Sequence, residues 1–284
     1  MRRLGAHVSI AGGLDQAVLR VSQMGGKALQ IFSSSPRTWL AVMPAASTIT
    51  AFKAAALKHK VKPVFIHAKY LVNLASDNKS LEAISIKSLI HDLNVADAIG
   101  AAGVIVHLGS HQGRGFAAVK QQLVENITKV LQDSKGSAMF LIENSAGQRG
   151  KIASQLDEIS LLLKAINNQR LGWCLDTCHA WVAGFTCGKA SGNGADQNDI
   201  VATAKKLRIL DKLMVLHVND SRDPFSSGRD RHDNLGEGQM GKEILSAYVN
   251  HPELKHLPLI LEVPGFDSNG PDKKNLDILK NLIG

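Results

Sequence analysis

The chain has 284 residues, 44% apolar and 20% charged, with a net charge of +8 and an isoelectric point of about 9.4. That composition excludes a disordered or fibrous protein, and His7, Ser9 and Asp15 interrupt the N-terminal segment, so neither a signal-peptide core nor a bilayer-spanning stretch is expected. Three cysteines, Cys174, Cys178 and Cys187, are too few for a disulfide framework, which predicts a cytoplasmic protein with small buried thiols.

Eight short apolar, β-branched runs follow one another along the chain: LGAHVS, ALQIF, PVFIH, GVIVH, AMFLIE, LGWCLD, LMVLHVND and LPLILE. Between most of them the apolar residues recur at helical spacing, as from Leu81 to Ile99 and from Val119 to Leu131. Strands that alternate with helices build a parallel sheet. Eight such units predict an α/β protein, one (β/α)8 TIM-barrel domain over residues 1–284.

From the third run onward, the last residue of each is His67, His107, Glu143, Asp176, His217 and Glu262. With only 11 His and 25 Asp or Glu in the chain, six in succession exceed chance, even if each boundary slides by a residue. The carboxyl ends of barrel strands converge on one face, so these six potential metal ligands point into one bowl. A polar residue can merely mark where an apolar strand stops. That explanation fails for the set, because residues such as His107 and Glu143 would then be desolvated without partners.

Along LGWCLD, alternation sends Trp173, Leu175 and Thr177 one way and Cys174, Asp176 and Cys178 the other. Asp176 is then the chemical residue of the stretch, with Cys174 inside the barrel and His179 on the following turn. A C-x3-C pair with no second cysteine pair does not make a structural zinc knuckle. A further constellation, Asp230 and His232 within DRHDNLGEG, places two ligands on one side of an extended segment and joins His179 as a second group. Gly236, Gly238 and Gly241 allow that loop to close over the bowl, and Glu237 is expected to support it.

The stretches GAHVSIAGGL, IENSAGQ, LDTCHAWVAGF, LHVNDS, DRHDNLGEG and LILEVPG together resemble endonuclease IV, the metal-dependent apurinic/apyrimidinic endonucleases of DNA base-excision repair, over nearly the whole chain. The resemblance implies three Zn²⁺ ions, or zinc partly replaced by Mn²⁺. His67, His107 and Glu143 would hold one; Glu143, Asp176, His217 and Glu262 a second; His179, Asp230 and His232 the third. It further implies Glu143 and Glu262 as catalytic carboxylates, and cleavage 5′ to an abasic sugar that leaves a 3′-hydroxyl and a 5′-deoxyribose phosphate, together with 3′-end repair. Arg37 in SSSPRTW and Tyr70 and Leu71 in HAKYLVNL match positions at which the family inserts side chains into the minor groove. The implied partner is double-stranded DNA with abasic sites, bound by a monomer with no membrane and no obligate protein partner.

The donor types support the same chemistry independently: imidazoles with carboxylates suit Zn²⁺ or Mn²⁺ better than Mg²⁺. The basic residues are scattered, so any positive surface for DNA must be assembled by folding. Three stretches depart from the family pattern: Leu108 stands where proline is expected, Arg149 follows IENSAGQ, and TCGKASGNGAD is unlike the family's sequences. They bear on DNA contacts more than on the metal ligands. His7 and His111 lie near the same face without matching a ligand position, and His91, His251 and His256 are expected on the surface. A metal-dependent sugar isomerase or epimerase is the competing reading; neither the His179, Asp230 and His232 group nor a basic surface is required by a neutral sugar.

Overall fold

In a computed structural model, which describes residues 2–39, 41–188 and 198–284, eight parallel strands close into a barrel. They are β1 (Leu4–His7), β2 (Ala28–Phe32), β3 (Val64–His67), β4 (Gly103–Val106), β5 (Met139–Glu143), β6 (Leu171–Asp176), β7 (Leu213–His217) and β10 (Leu259–Leu261). Around the barrel they run in the order β1-β10-β7-β6-β5-β4-β3-β2. Residues 189–197, which include all but the first three residues of the glycine-rich stretch TCGKASGNGAD, lie outside the described residues.

The alternation of a parallel strand separates two apolar clusters. Ala28, Phe65, Ile105, Leu141, Cys174, Val215 and Ile260 fill the barrel interior, whereas Trp173, Leu175 and most other core residues pack outward beneath the helices. Cys174 therefore occupies the inner position expected of it. All three cysteines are free and buried, and burial pushes the Cys174 thiol up to about 12. Closure is tight between β1 and β2: a Cβ on Gly5 would stand 1.8 Å from the Ala28 carbonyl oxygen, so only glycine fits there.

The helices include α1 (Leu14–Gln23), α2 (Ala46–His59), α3 (Lys79–Ile99), α4 (Phe116–Asp133), α5 (Leu156–Ile166), α6 (Thr177–Val182), α7 (Ile200–Leu207), α8 (Gly241–Asn250) and α9 (Lys273–Leu282). α3 begins two residues earlier than its apolar pattern, because the Asn78 side chain accepts from the Ser80 and Leu81 N–H groups. It ends where Gly100 turns left-handed at φ 77. Among the described residues, no helix is long and apolar enough to cross a membrane.

Candidate metal centre

His67, Glu143, Asp176 and His217 end β3, β5, β6 and β7, and His107 and Glu262 stand one residue beyond β4 and β10. Glu143 lies at the centre. Its Oε2 is 3.1 Å from His67 Nε2 and 3.2 Å from His107 Nε2, while its Oε1 is 3.0 Å from His217 Nδ1. His217 Nδ1 is also 3.2 Å from Glu262 Oε2 and 3.9 Å from Asp176 Oδ2. Two sets of donor atoms, His67–His107–Glu143 and Glu143–Asp176–His217–Glu262, each lie within 4.8 Å of one another.

The third group forms at the start of α6. The Asp176 carboxylate caps that helix by accepting from the His179 N–H at 2.9 Å, which fixes His179 beside the strand end. Asp230 Oδ1 is 3.0 Å from His179 Nε2 and 3.5 Å from His232 Nε2. Asp176, His179 and His232 also offer donor atoms within 4.8 Å of one another. Asp176 thus faces both the second and the third group, a placement that spacing along the chain does not reveal.

The loop that carries Asp230 and His232 is held from below. Asp220 is fully buried, and its carboxylate accepts from the N–H groups of Ser221, Gly236, Gly238 and Met240 at 2.8 to 3.2 Å. The short antiparallel pair β8 (Asp220–Ser221) and β9 (His232–Asp233) sets the register. Arg231 points outward and donates two bonds to Asp223, at 2.7 and 2.6 Å, so its neighbours Asp230 and His232 turn toward the bowl. Glu237 is exposed and its N–H donates to the Asn234 carbonyl.

One polar residue that the strand-end pattern misses is Gln30, buried in the middle of β2. Its Nε2 donates to Glu262 Oε1 and lies 2.9 Å from His7 Nδ1, and its Oε1 is 2.7 Å from His217 Nε2. The one available signal was an amide inside the otherwise apolar run ALQIF. His7, whose Nδ1 is 3.3 Å from Glu262 Oε1, belongs to the same support.

These contacts test whether a metal suits the residues. The Nδ1–H groups of His67 and His179 donate to the carbonyls of Ala68 and Asn144 at 2.7 and 2.9 Å, so each ring turns its Nε2 lone pair to the centre. Lone pairs and carboxylate oxygens then face one another, and His179 Nε2 and His232 Nε2 are buried without a hydrogen-bond partner. Such an arrangement calls for cations. Burial, opposed chiefly by the Glu143 charge, pushes His107 down to about 4, the neutral form a ligand needs. Burial would raise Glu143 and Glu262, but the charges of His107 and His217 around Glu143 and of His217 beside Glu262 hold both well below the usual carboxylate range. His179 and His217 are held high against burial, His179 chiefly by the charge of Asp176 and His217 by the carboxylates of Glu262 and Glu143. A divalent cation can replace the protons that these rings attract.

A cleft of about 730 Å³ opens over the centre, lined by His7, Phe32, His67, His107, His179 and Glu262, and at its rim by Arg37 and Tyr70. Tyr70 is 68% exposed and its ring meets the edge of Phe32 at 5.3 Å. Leu71 is half-buried beside it and does not line the cleft. Leu108 is fully buried, and Arg149 is exposed in a left-handed turn at φ 53, its carbonyl bonded by Ser110 Oγ. His111 Nδ1 accepts from the Gly115 N–H. His256 is exposed as expected, but His91 and His251 are half-buried, because α3 turns His91 toward Lys69 and His251 caps the short turn at Pro252–Leu254.

The family described as xylose isomerase-like TIM barrel matches residues 18–282. A probable endonuclease 4 from Halothermothrix orenii is 36% identical over 98% of this chain and 99% of its own length. The crystal structure of endonuclease IV from Thermus thermophilus superposes with a TM-score of 0.84 at 32% identity, covering 99% of this chain and 98% of that one. A D-tagatose 3-epimerase-like protein superposes at 0.72 with 17% identity, a likeness of fold alone.

Proposed function

The chain belongs to the endonuclease IV family within the xylose isomerase-like TIM barrels, and on that premise we propose that it hydrolyses the phosphodiester bond 5′ to an abasic site in double-stranded DNA, leaving a 3′-hydroxyl and a 5′-deoxyribose phosphate. Repair of blocked 3′ ends is part of the same proposal. The observation that carries it is the division of the Glu143 carboxylate, one oxygen toward His67 and His107 and the other toward His217, which suits a carboxylate shared by two cations. With His179, Asp230 and His232 the donors suffice for three ions, zinc or zinc partly replaced by manganese. Such ions would supply Lewis-acid stabilisation and a nucleophile at neutral pH for displacement at phosphorus.

The chain's own residues do the rest. Glu143 and Glu262 act as the catalytic carboxylates; both stay ionised beside their histidines despite burial, and Glu262 lines the cleft, where it can accept a proton from an attacking water. Gln30 holds His217 and Glu262 in place. Arg37, Tyr70 and Leu71 occupy the stack where the abasic nucleotide leaves it. Of the three, Arg37 and Tyr70 already stand at the cleft. Arg222 and Arg229 are exposed on and beside the loop that carries Asp230, and their charge would draw phosphates toward it. We place the enzyme in the cytoplasm as a single-domain monomer with no obligate protein partner.

Incubation of the purified protein with a duplex containing one abasic site, followed by identification of both new ends, tests reaction and substrate together. Cleavage 5′ to the lesion with a 3′-hydroxyl is expected. An intact duplex, or incision 3′ to the lesion, would overturn the proposal.

A further inference from the structure

Lys69 is buried, at 4% exposure, on the turn between β3 and α3, directly before Tyr70. Its ammonium reaches across to the β2 loop, where it donates to Ser34 Oγ and to the Ser35 carbonyl at 3.0 Å. On the same side, Ser33 Oγ donates to Oδ1 of Asp92, a fully buried carboxylate on α3, at 2.5 Å. Each of the three serines of SSSPRTW is therefore tied to the segment that bears Tyr70 or to the helix that follows it. Among the described residues, no backbone-to-backbone hydrogen bond holds residues 33–39, and no other side-chain bond reaches them.

An ammonium in this position costs free energy to desolvate, and a methionine of similar length would fill the space without that cost. What the ammonium adds is directed donors from one loop to the other. Arg37 follows two residues after Ser35, and Tyr70 is the next residue after Lys69, so the two cleft-rim side chains sit on opposite ends of one short polar connection. The ring contact of Tyr70 with Phe32 ties the Tyr70 turn to the last residue of β2, where the other loop begins.

We propose that Lys69 is a positioning residue: it holds the Arg37 segment in register with Tyr70, so that both side chains enter the gap at a lesion together. The inference rests on the reading of Arg37 and Tyr70 as lesion-probing residues. Lys69 itself touches no DNA; buried as it is, it adds nothing to phosphate binding.

The test uses the metal-loaded protein with matched duplexes, one undamaged and one carrying a tetrahydrofuran abasic analogue. Lys69→Met should weaken lesion binding on the order of 10-fold, the scale of lost hydrogen bonds to a charged group, and leave undamaged binding and its salt dependence unchanged. Amide hydrogen exchange of residues 33–39 should accelerate without DNA present, and on an Arg37→Ala background Lys69→Met should add little further loss. Ser34→Ala removes one acceptor of the ammonium and keeps the ammonium itself, together with its bond to the Ser35 carbonyl. It should move both readouts in the same direction by less, which keeps the test open if Lys69→Met fails to fold. Unchanged exchange, equal losses on both duplexes, or full additivity with Arg37→Ala would overturn the proposal. If Arg37→Ala and Tyr70→Ala each spare lesion binding, the reading beneath it fails as well; if they reduce it while Lys69→Met and Ser34→Ala do not, only the role of Lys69 falls.

Discussion

Gln30 on β2 and His217 on β7 meet across the barrel interior, with His217 Nε2 donating to Gln30 Oε1 at 2.7 Å. The amide orientation follows from its other end, where Nε2 donates to the acceptor-only carboxylate of Glu262. Since an amide oxygen can only accept, the His217 proton sits on Nε2 and Nδ1 is free for a cation between Glu143 and Glu262. Gln30→Met should keep the fold and weaken binding of one ion by about 10- to 100-fold. Chelator competition reads this directly, and wild-type retention in the variant would remove Gln30 from the support of the centre.

Glu143→Ala removes the one carboxylate placed between His67, His107 and His217. Elemental analysis of the unaltered protein should give close to three zinc-type ions. The variant should lose more metal than any other single ligand substitution, because two cations would face each other without a shared anion. A preparation that is fully active with one bound ion contradicts a trinuclear centre.

Asp230 and His232 stand on a loop anchored independently by Asp220 and Asp223, so their removal should spare the fold. Asp230→Ala and His232→Ala are expected to lose one ion and to lower single-turnover cleavage by orders of magnitude while abasic-DNA affinity largely persists. We assign the ion that His179, Asp230 and His232 would hold to the leaving 3′-oxygen, where charge develops mainly in the transition state, so the loss belongs in turnover rather than binding. Unchanged cleavage in both variants excludes that role.

Replacement of Arg37 or Tyr70 by alanine should remove roughly 1–3 kcal/mol of base-contacting interaction, about 5- to 150-fold in affinity for a tetrahydrofuran-containing duplex. Undamaged duplex should be bound almost as before, since that binding is mostly phosphate neutralisation, altered by at most one charge. Affinities at two salt concentrations decide the matter. Equal losses on the two duplexes would make these residues general backbone contacts.

Burial pushes the Asp92 carboxyl up to about 6, against the opposing bond from Ser33 and charge of Lys69. The folded state then holds a proton that the unfolded chain releases, so this group contributes stability that is lost as the pH climbs from about 4 to about 6, at roughly 1.4 kcal/mol per unit. Asp92→Asn keeps an oxygen for Ser33 and does not titrate. The stability of the wild type relative to this variant should therefore fall between about pH 4 and about pH 6, as measured by denaturant unfolding; a constant difference would show that the carboxyl titrates normally.

The barrel and most of its bowl were legible along the chain because both depend on local pattern. Apolar runs with a period of two mark strands, intervening helical spacing implies parallel pairing, and the polar residue that stops each strand lands on the C-terminal face. His67, Glu143, Asp176 and His217 lie at the observed strand ends, and His107 and Glu262 fall one residue past them. The partners of those residues were not legible. Gln30 sits inside an apolar run on a strand remote in sequence from both His217 and Glu262, and only closure of the barrel turns it toward them. Asp176 caps α6 and faces two groups because the chain turns into a helix immediately after β6. Lys69 is buried only because the β2 and β3 loops pack together, which no local pattern in the chain marks. Alternation along a strand states which face a side chain takes; which residues share that face depends on strand order, register and loop packing, and those are set by contacts between segments far apart in the chain.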